Sequence, residues 1–329
     1  MTGDIRERIF SISSDEDFEL TALDIFRFQS SQNPVYGEFI RELGVNPDKI
    51  NSLSEIPFMP IEFFKWHKVI SGGQSPVVFF ESSGTTSTTN SRHYVTDPTL
   101  YVESFTSGFN YFFGEPSGWM FAALLPSYVE RGNSSLVFMA DHLIKLSHDK
   151  RSSFYLGDTT RMIENLRSVA DNGGKAMLIG VTYALLDLAE KHHPDLSGVT
   201  VVETGGMKGR RAEITRDELH EILIPRLRIK KVFSEYGMTE LLSQAWSVGD
   251  GLFRTPPWMR IMLRDLNDPL GTHSFTGQTG GINVIDLANV YSCSFIATKD
   301  LGRLNPDGTF EVMGRFDSGD IRGCNLMIG

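Results

Sequence analysis

The stretch Glu81-Ser82-Ser83-Gly84-Thr85-Thr86-Ser87-Thr88-Thr89-Asn90-Ser91-Arg92-His93 gathers hydroxyls, one glycine and a guanidinium into a few residues. It follows Val77-Val78-Phe79-Phe80, an apolar run that reads as a buried strand. A loop of this kind turns successive backbone N–H groups and hydroxyls toward one anion, and Arg92 adds formal charge. Phosphate binding is the chemistry that suits it. A Ser/Thr-rich surface turn has the same composition, so two later segments decide between the readings.

Gly205 and Gly206 end another apolar run, Val199 to Thr204, and paired glycines let backbone approach a flat ligand. Tyr236-Gly237-Met238-Thr239-Glu240 follows the next one. Tyr236 can stack on a base, the Thr239 hydroxyl can bond a phosphate, and Glu240 offers a hard oxygen ligand for Mg²⁺. Taken singly, Tyr236 also fits a core aromatic and Glu240 a solvated residue at a helix start. Parallel-sheet enzymes gather such loops at the carboxyl ends of their strands. His93 either assists the phosphate loop or is structural. Cys324 stands beside Arg322 and Gly323, and a nearby guanidinium lowers a thiol's pKa toward the nucleophilic thiolate. By composition alone it reads as a small buried residue. Cys293 alternates like a strand residue and reads as structural. A serine-hydrolase Gly-x-Ser-x-Gly elbow and a Gly-x-x-x-x-Gly-Lys-[Ser/Thr] P-loop are both missing.

These residues need elements to hold them. Residues 1–50 read as helical, with Ser14-Asp15-Glu16-Asp17 as an N-cap cluster and a break at Asn33-Pro34. The segment Ile56 to Lys65 carries two prolines and reads as extended chain entering the core. Helices are expected over 97–113, 134–144, 159–172, 183–192 and 216–227. Strands are expected over 121–126, 175–180, 199–204 and 230–234. This alternation predicts an α/β fold, a mostly parallel sheet layered by helices. After residue 252 short apolar pieces alternate with turn signals at Asn267-Asp268-Pro269, Gly280-Gly281 and Asn305-Pro306-Asp307-Gly308. That predicts antiparallel hairpins. The expected division is an α/β nucleotide-binding region with a helical lead-in over 1–250, and a small antiparallel β subdomain over 251–329 that ends in a flexible tail.

The chain has 329 residues, enough for a large core. Its net charge of −10 disfavours nucleic acid and anionic lipid as partners. Any bound phosphates must therefore be met locally. With 2 cysteines, neither a disulfide framework nor a zinc site is expected. The polar N-terminus and the short apolar runs predict a cytoplasmic protein without membrane insertion.

Ser82-Ser83-Gly84-Thr85-Thr86, then Tyr236 to Glu240, then Asp300, then Gly314-Arg315-Phe316-Asp317 stand in the order of the adenylate-forming superfamily, which the chain resembles. The superfamily includes acyl-CoA synthetases, adenylation domains and phenylacetate-CoA ligases. Ile56 to Lys65, Leu124-Leu125-Pro126 and Asp320-Ile321-Arg322-Gly323-Cys324 resemble one branch in particular, the acyl-protein synthetases of bacterial bioluminescence. Two departures stand out. Ser87 replaces a glycine usual in the family, and the basic residue of the loop comes later, at Arg92. The chain also ends soon after the Gly314–Asp317 motif, so the superfamily's C-terminal domain is expected to be absent.

The resemblance implies an AMP-forming acid–thiol ligase that uses ATP and Mg²⁺. Ser82, Ser83, Gly84, Thr85, Thr86 and Arg92 would hold the β- and γ-phosphates. Gly205 and Gly206 would line the adenine with Tyr236 packed on it, and Gly237 would belong to the same nucleotide-binding set. Thr239 would contact the α-phosphate, Glu240 the metal, Asp300 the ribose diol, and Arg315 would complete the nucleotide contacts. A carboxylic acid, on this likeness a fatty acid, would become an acyl-adenylate. Cys324 would then carry the acyl group as a thioester to a reductase or carrier protein. The alternatives are a truncated ligase that uses CoA, a carrier or a sugar as acceptor, and a non-catalytic nucleotide-binding protein. Phe105, Phe109, Phe112, Phe113 and Trp119 fit either an acyl pocket or ordinary core.

Overall fold

The Ser14 hydroxyl accepts from Asp17 N at 3.1 Å and starts the second helix of the chain. The structure, a computed structural model, describes residues 2–82, 89–126, 132–206, 214–266, 272–273 and 277–315. Its helical lead-in is α1 (Thr2–Phe10), α2 (Asp15–Gln32) and α3 (Pro34–Glu42). Asn33 ends α2 and also caps α3, where Pro34 takes a first-turn position that needs no N–H donor. The proline-punctuated segment gives the extended pair β1 (Met59–Pro60), then one helical turn, α4 (Phe63–Trp66).

The expected phosphate loop joins β2 (Val78–Glu81) to β3 (Arg92–Val95), an antiparallel hairpin separate from the main sheet. The run leading into it is less buried than its composition suggested. Val77 precedes the strand and is 71% exposed, and only Phe80 is fully buried. A two-stranded ribbon outside the sheet has one face for the core, and Phe80 occupies it.

The α/β body follows in the expected order. It comprises α5 (Pro98–Phe113), β4 (Trp119–Leu124), α6 (Ser135–Ser147), β5 (Ser153–Phe154), α7 (Thr159–Asp171), β6 (Lys175–Gly180), α8 (Thr182–Lys191), β7 (Thr200–Glu203), α9 (Arg216–Leu227) and β8 (Phe233–Tyr236). Strands β5, β4, β6, β7 and β8 lie side by side and parallel. Their side chains alternate between two cores. Phe121, Met177, Ile179 and Val202 face one, and Met120, Leu178 and Val201 face the other. Burial on both faces explains why these strands are almost wholly apolar. Phe105, Phe109 and Trp119 are buried and pack edge-on as core; Phe109 lies 6.0 Å from Trp119 and 5.4 Å from Phe121.

One strand starts later than its composition suggested: β8 begins at Phe233, not Lys230, and includes Glu235 and Tyr236. The antiparallel part comprises β9 (Ala245–Ser247), β10 (Phe253–Arg254), β11 (Met259–Arg264), β12 (Thr272–His273), β13 (Thr279–Asp286), β14 (Phe295–Leu304) and β15 (Phe310–Arg315). It is hydrogen-bonded to the parallel part through β8–β9–β10–β15, making one sheet of 13 strands among the described residues, with β1 joined to β14. Gly280 and Gly281 lie inside β13 instead of forming a turn. They admit Arg264, whose Cζ would be 2.7 Å from a Cβ at Gly281. Asn305 to Gly308 does make the turn between β14 and β15, with Gly308 at φ +81°. Cys293 precedes β14 instead of lying in a strand. No helix among the described residues is long and apolar enough to cross a membrane.

Candidate active site

Ser82 and Ser91 close the neck of the hydroxyl-rich loop. Ser82 N donates to Ser91 O at 3.0 Å, and Ser91 N donates to the Ser82 hydroxyl at 3.0 Å. Ser83, Gly84, Thr85 and Thr86 lie outside the described residues. Arg92 leaves the neck along the hairpin, where its Nε donates to Glu81 at 3.0 Å and its guanidinium lies over Phe79. It is exposed, so this ion pair is weak and opens readily for a stronger anion.

The Ser91 hydroxyl bonds Glu240, joining the loop's neck to the Thr239–Glu240 dipeptide. Glu240 is 5% exposed. Burial raises its carboxyl above the usual range, with Ser91 and Arg315 opposing the rise and Asp300 adding to it. Asp300, in β14, is buried. It accepts from the Tyr236 hydroxyl at 2.8 Å and from Arg315 Nε at 3.2 Å. The register sets Asp300 opposite Arg315 across the β14–β15 pair. Tyr236 stands at the end of β8 with its ring edge-on to Phe253 and Phe310, at 5.9 and 5.7 Å. Its polar tip therefore serves Asp300 and its ring is largely core. Ser82, Tyr236, Glu240, Asp300 and Arg315 thus belong to one connected cluster.

Gly205 and Gly206 follow β7 at φ +74° and +93°, a region that glycine enters freely. Glu203 holds the turn, accepting from Gly205 N at 2.7 Å and the Thr182 hydroxyl at 3.1 Å. A Cβ at Gly237 would meet Glu235 Oε1 at 2.2 Å, so a larger residue there must displace that carboxyl.

Several residues near this cluster were not singled out by sequence. Glu235 is half-buried, yet burial first and the neighbouring Glu203 second push its carboxyl up to about 8. A carboxyl whose folded pKa exceeds its ordinary 4.5 favours folding most at low pH. That contribution is lost as pH rises from about 4.5 through about 8. Glu235→Gln is therefore expected to gain about 1–3 kcal/mol on the wild type between pH 4.5 and 8.5, discounted for partial exposure. Denaturant midpoints across that range measure the gain, and parallel curves for the two proteins would refute it. His93, which the sequence left open between the phosphate loop and a structural role, holds the dipeptide from behind together with Asn289 and Asp286. His93 Nδ1 lies 2.9 Å from Thr239 O, and Asn289 Nδ2 donates to Glu240 O at 2.8 Å. Asp286 accepts from Leu242 N at 2.7 Å and Ser243 N at 3.0 Å. The sequence signal for Glu203 and Glu235 was an ionisable residue ending an apolar strand just before glycine. Asn289, in a short polar–apolar mixture, gave none.

No group of three or more potential metal ligands occurs among the described residues. Glu240 alone suits Mg²⁺ held mainly by substrate phosphates and water, which needs only one or two protein carboxylates. Cys293 is fully buried, its thiol is pushed up to about 12, and it is inert as a nucleophile. Cys324 lies outside the described residues.

No family model and no curated protein matches this sequence. Solved structures do match. A 2-hydroxyisobutyryl-CoA ligase in complex with 2-HIB-AMP and CoA superposes with a TM-score of 0.66 at 13% identity, over 97% of this chain and 72% of that one. ATP-bound MatB from Rhodopseudomonas palustris gives 0.55 at 18% identity, over 74% of this chain and 49% of the other, so this chain spans about half of MatB's length. A luciferase-like enzyme from the nonluminescent mealworm Zophobas morio gives 0.51 at 12% identity, over 83% and 62%.

Proposed function

We propose, with the fold shared by these ligases as the premise, that the chain is an adenylate-forming enzyme. It would activate a carboxylic acid with ATP to an acyl-adenylate and pyrophosphate. The observation that carries this is the joining of the loop neck at Ser82 and Ser91 to Glu240, Asp300 and Arg315. A nucleotide needs these groups together: hydroxyl and amide donors for phosphate, a hard oxygen for its metal, and a carboxylate for the diol. Adenine would lie along Gly205, Gly206 and Gly237 at the rim of Tyr236. Tyr236 and Arg315 orient Asp300 toward the ribose. Thr239 would meet the α-phosphate. Glu240 would hold Mg²⁺, which when bound neutralises phosphate charge. The residues 83–86 with Arg92, released from Glu81, would meet the terminal phosphates. Catalysis on this reading is positioning and electrostatic stabilisation.

The acyl acceptor follows from the same premise. The 2-hydroxyisobutyryl ligase was captured with CoA, which favours a small thiol as acceptor. A second reading makes Cys324 the acceptor, en route to a carrier or reductase. It is favoured by the inertness of Cys293, which leaves Cys324 as the chain's other thiol. The test is ATP–pyrophosphate exchange over a panel of carboxylic acids, fatty acids included, followed by labelled-acyl transfer with and without CoA. Cys324→Ala is expected to keep exchange and to form acyl-CoA at the wild-type rate. If the mutant exchanges but forms no acyl product, Cys324 is the acceptor. Nucleotide binding without exchange for any acid would defeat the enzymatic reading.

A further inference from the structure

We propose that His93 and Asn289 are positioning residues that grip both carbonyls of the Thr239–Glu240 dipeptide, and that one water held behind them fixes His93 as its Nδ1–H tautomer. The grip is direct: His93 Nδ1 bonds Thr239 O, and Asn289 Nδ2 bonds Glu240 O. Asn289 Nδ2 also donates to Cys293 O at 2.9 Å, which fixes the orientation of the amide. Its Oδ1 must therefore face the other way. A carbonyl only accepts, so His93 Nδ1 carries the proton toward Thr239. In a neutral ring Nε2 is then an acceptor. Burial pushes the imidazole down to about 4, with Thr239 and Asn289 opposing, so the ring is neutral at pH 7.

The consequence is a conflict that protein atoms do not resolve. With the ring neutral, His93 Nε2 and Asn289 Oδ1 are both acceptors, both fully buried, and neither makes a well-formed hydrogen bond; their approach to each other favours only the charged ring. They line one small crevice together with Thr96, whose buried hydroxyl is also unpaired. Two acceptors cannot bond each other. A water in the crevice donates one proton to each and accepts from the Thr96 hydroxyl, which satisfies all three. The crevice has room for about one such molecule, and three polar partners are what a buried water ordinarily has. With Nε2 so satisfied, the Nδ1–H tautomer is locked and the Thr239 carbonyl cannot turn.

The bearing on activity rests on the reading of Thr239 and Glu240 given above, whereas the protonation pattern of the ring does not. The first measurement therefore needs no turnover. Long-range ¹H–¹⁵N correlation on protein labelled at histidine, with His93→Asn for assignment, is expected to show Nδ1 protonated and Nε2 bare at neutral pH. An Nε2–H tautomer, or a ring protonated at both nitrogens, overturns the proposal. A high-resolution crystal structure is expected to show one water within hydrogen-bond reach of His93, Thr96 and Asn289, and a dry crevice overturns that part. In pyrophosphate exchange, His93→Phe loses the donor, while His93→Asn offers an amide nitrogen where Nδ1 stood. His93→Phe is expected to fall about 10- to 100-fold further in kcat than His93→Asn, with KM for ATP less affected. Equal losses in the two variants overturn the positioning role.

Discussion

Glu240→Gln is expected to lower ATP–pyrophosphate exchange by about 100- to 1,000-fold while leaving the melting temperature unchanged or higher. The two effects separate because the side chain has two jobs. As a hydrogen-bond acceptor it meets the Ser91 hydroxyl, and glutamine keeps that bond. As a charge it would, on the proposed reading, supply one hard anionic oxygen to a metal on the phosphates, and glutamine loses it. Loss of one preorganised electrostatic group costs about 10²–10³ in rate. Stability moves the other way. Burial raises the Glu240 carboxyl above its ordinary 4.5, so its contribution to folding is full below that pH and is lost as pH rises through the folded value. Glutamine carries no such loss at neutral pH. A magnesium titration sharpens the measurement, since the variant should need more Mg²⁺ for half-maximal exchange. Wild-type exchange and magnesium response in Glu240→Gln would remove this residue from the nucleotide's metal.

The sequence made the body of the fold legible because parallel strands buried on both faces leave long apolar runs. Met177-Leu178-Ile179 and Val201-Val202 were of that kind. Charge and turn patterns failed where a contact distant in sequence decided the local conformation. Gly280-Gly281 has the composition of a turn, yet these glycines make room for Arg264 inside a strand. Arg92 has the chemistry of a phosphate ligand, but here its nearest anion is Glu81, eleven residues before it. Tyr236 was legible as an aromatic at the site, but nothing local showed that Phe253 and Phe310 would take up its ring.

The anchors behind the dipeptide were the least legible part. Asp286 and Asn289 reach residues more than forty positions earlier, and Thr239–Glu240 shows its own chemistry without showing what holds it. Site motifs name the groups that touch a ligand. The polar groups that set their angle are scattered among ordinary core residues, and only the folded chain brings them into register.

Asp286→Ala tests that arrangement most severely and is expected to destabilise the protein by about 3 kcal/mol at pH 5. The carboxylate is fully buried and accepts from Leu242 N at 2.7 Å, Ser243 N at 3.0 Å and the Ser243 hydroxyl at 2.5 Å. The network runs on: Trp258 Nε1 donates to Ser243 Oγ at 3.1 Å and to Ser104 Oγ, in α5, at 3.2 Å. Alanine leaves buried donors orphaned, at about 1–3 kcal/mol each before relaxation. The pH dependence identifies the cause. Burial pushes the Asp286 carboxyl from 3.8 up to about 6, against the pull of its four donated bonds from Ser243, Leu242 and Ala288. Its contribution is full below about 3.8 and declines as pH rises through about 6, by at most ~3 kcal/mol. The alanine variant has no such titration, so its deficit should shrink between pH 4 and 6 and stay level above. Denaturant midpoints across that range give the profile, and a deficit independent of pH would show that burial does not raise the folded carboxyl above its ordinary range. Because Leu242 and Ser243 directly follow Thr239–Glu240, pyrophosphate exchange should fall in the same variant even at temperatures where it remains folded. Full activity in the folded variant would mean that the dipeptide is held by His93 and Asn289 alone.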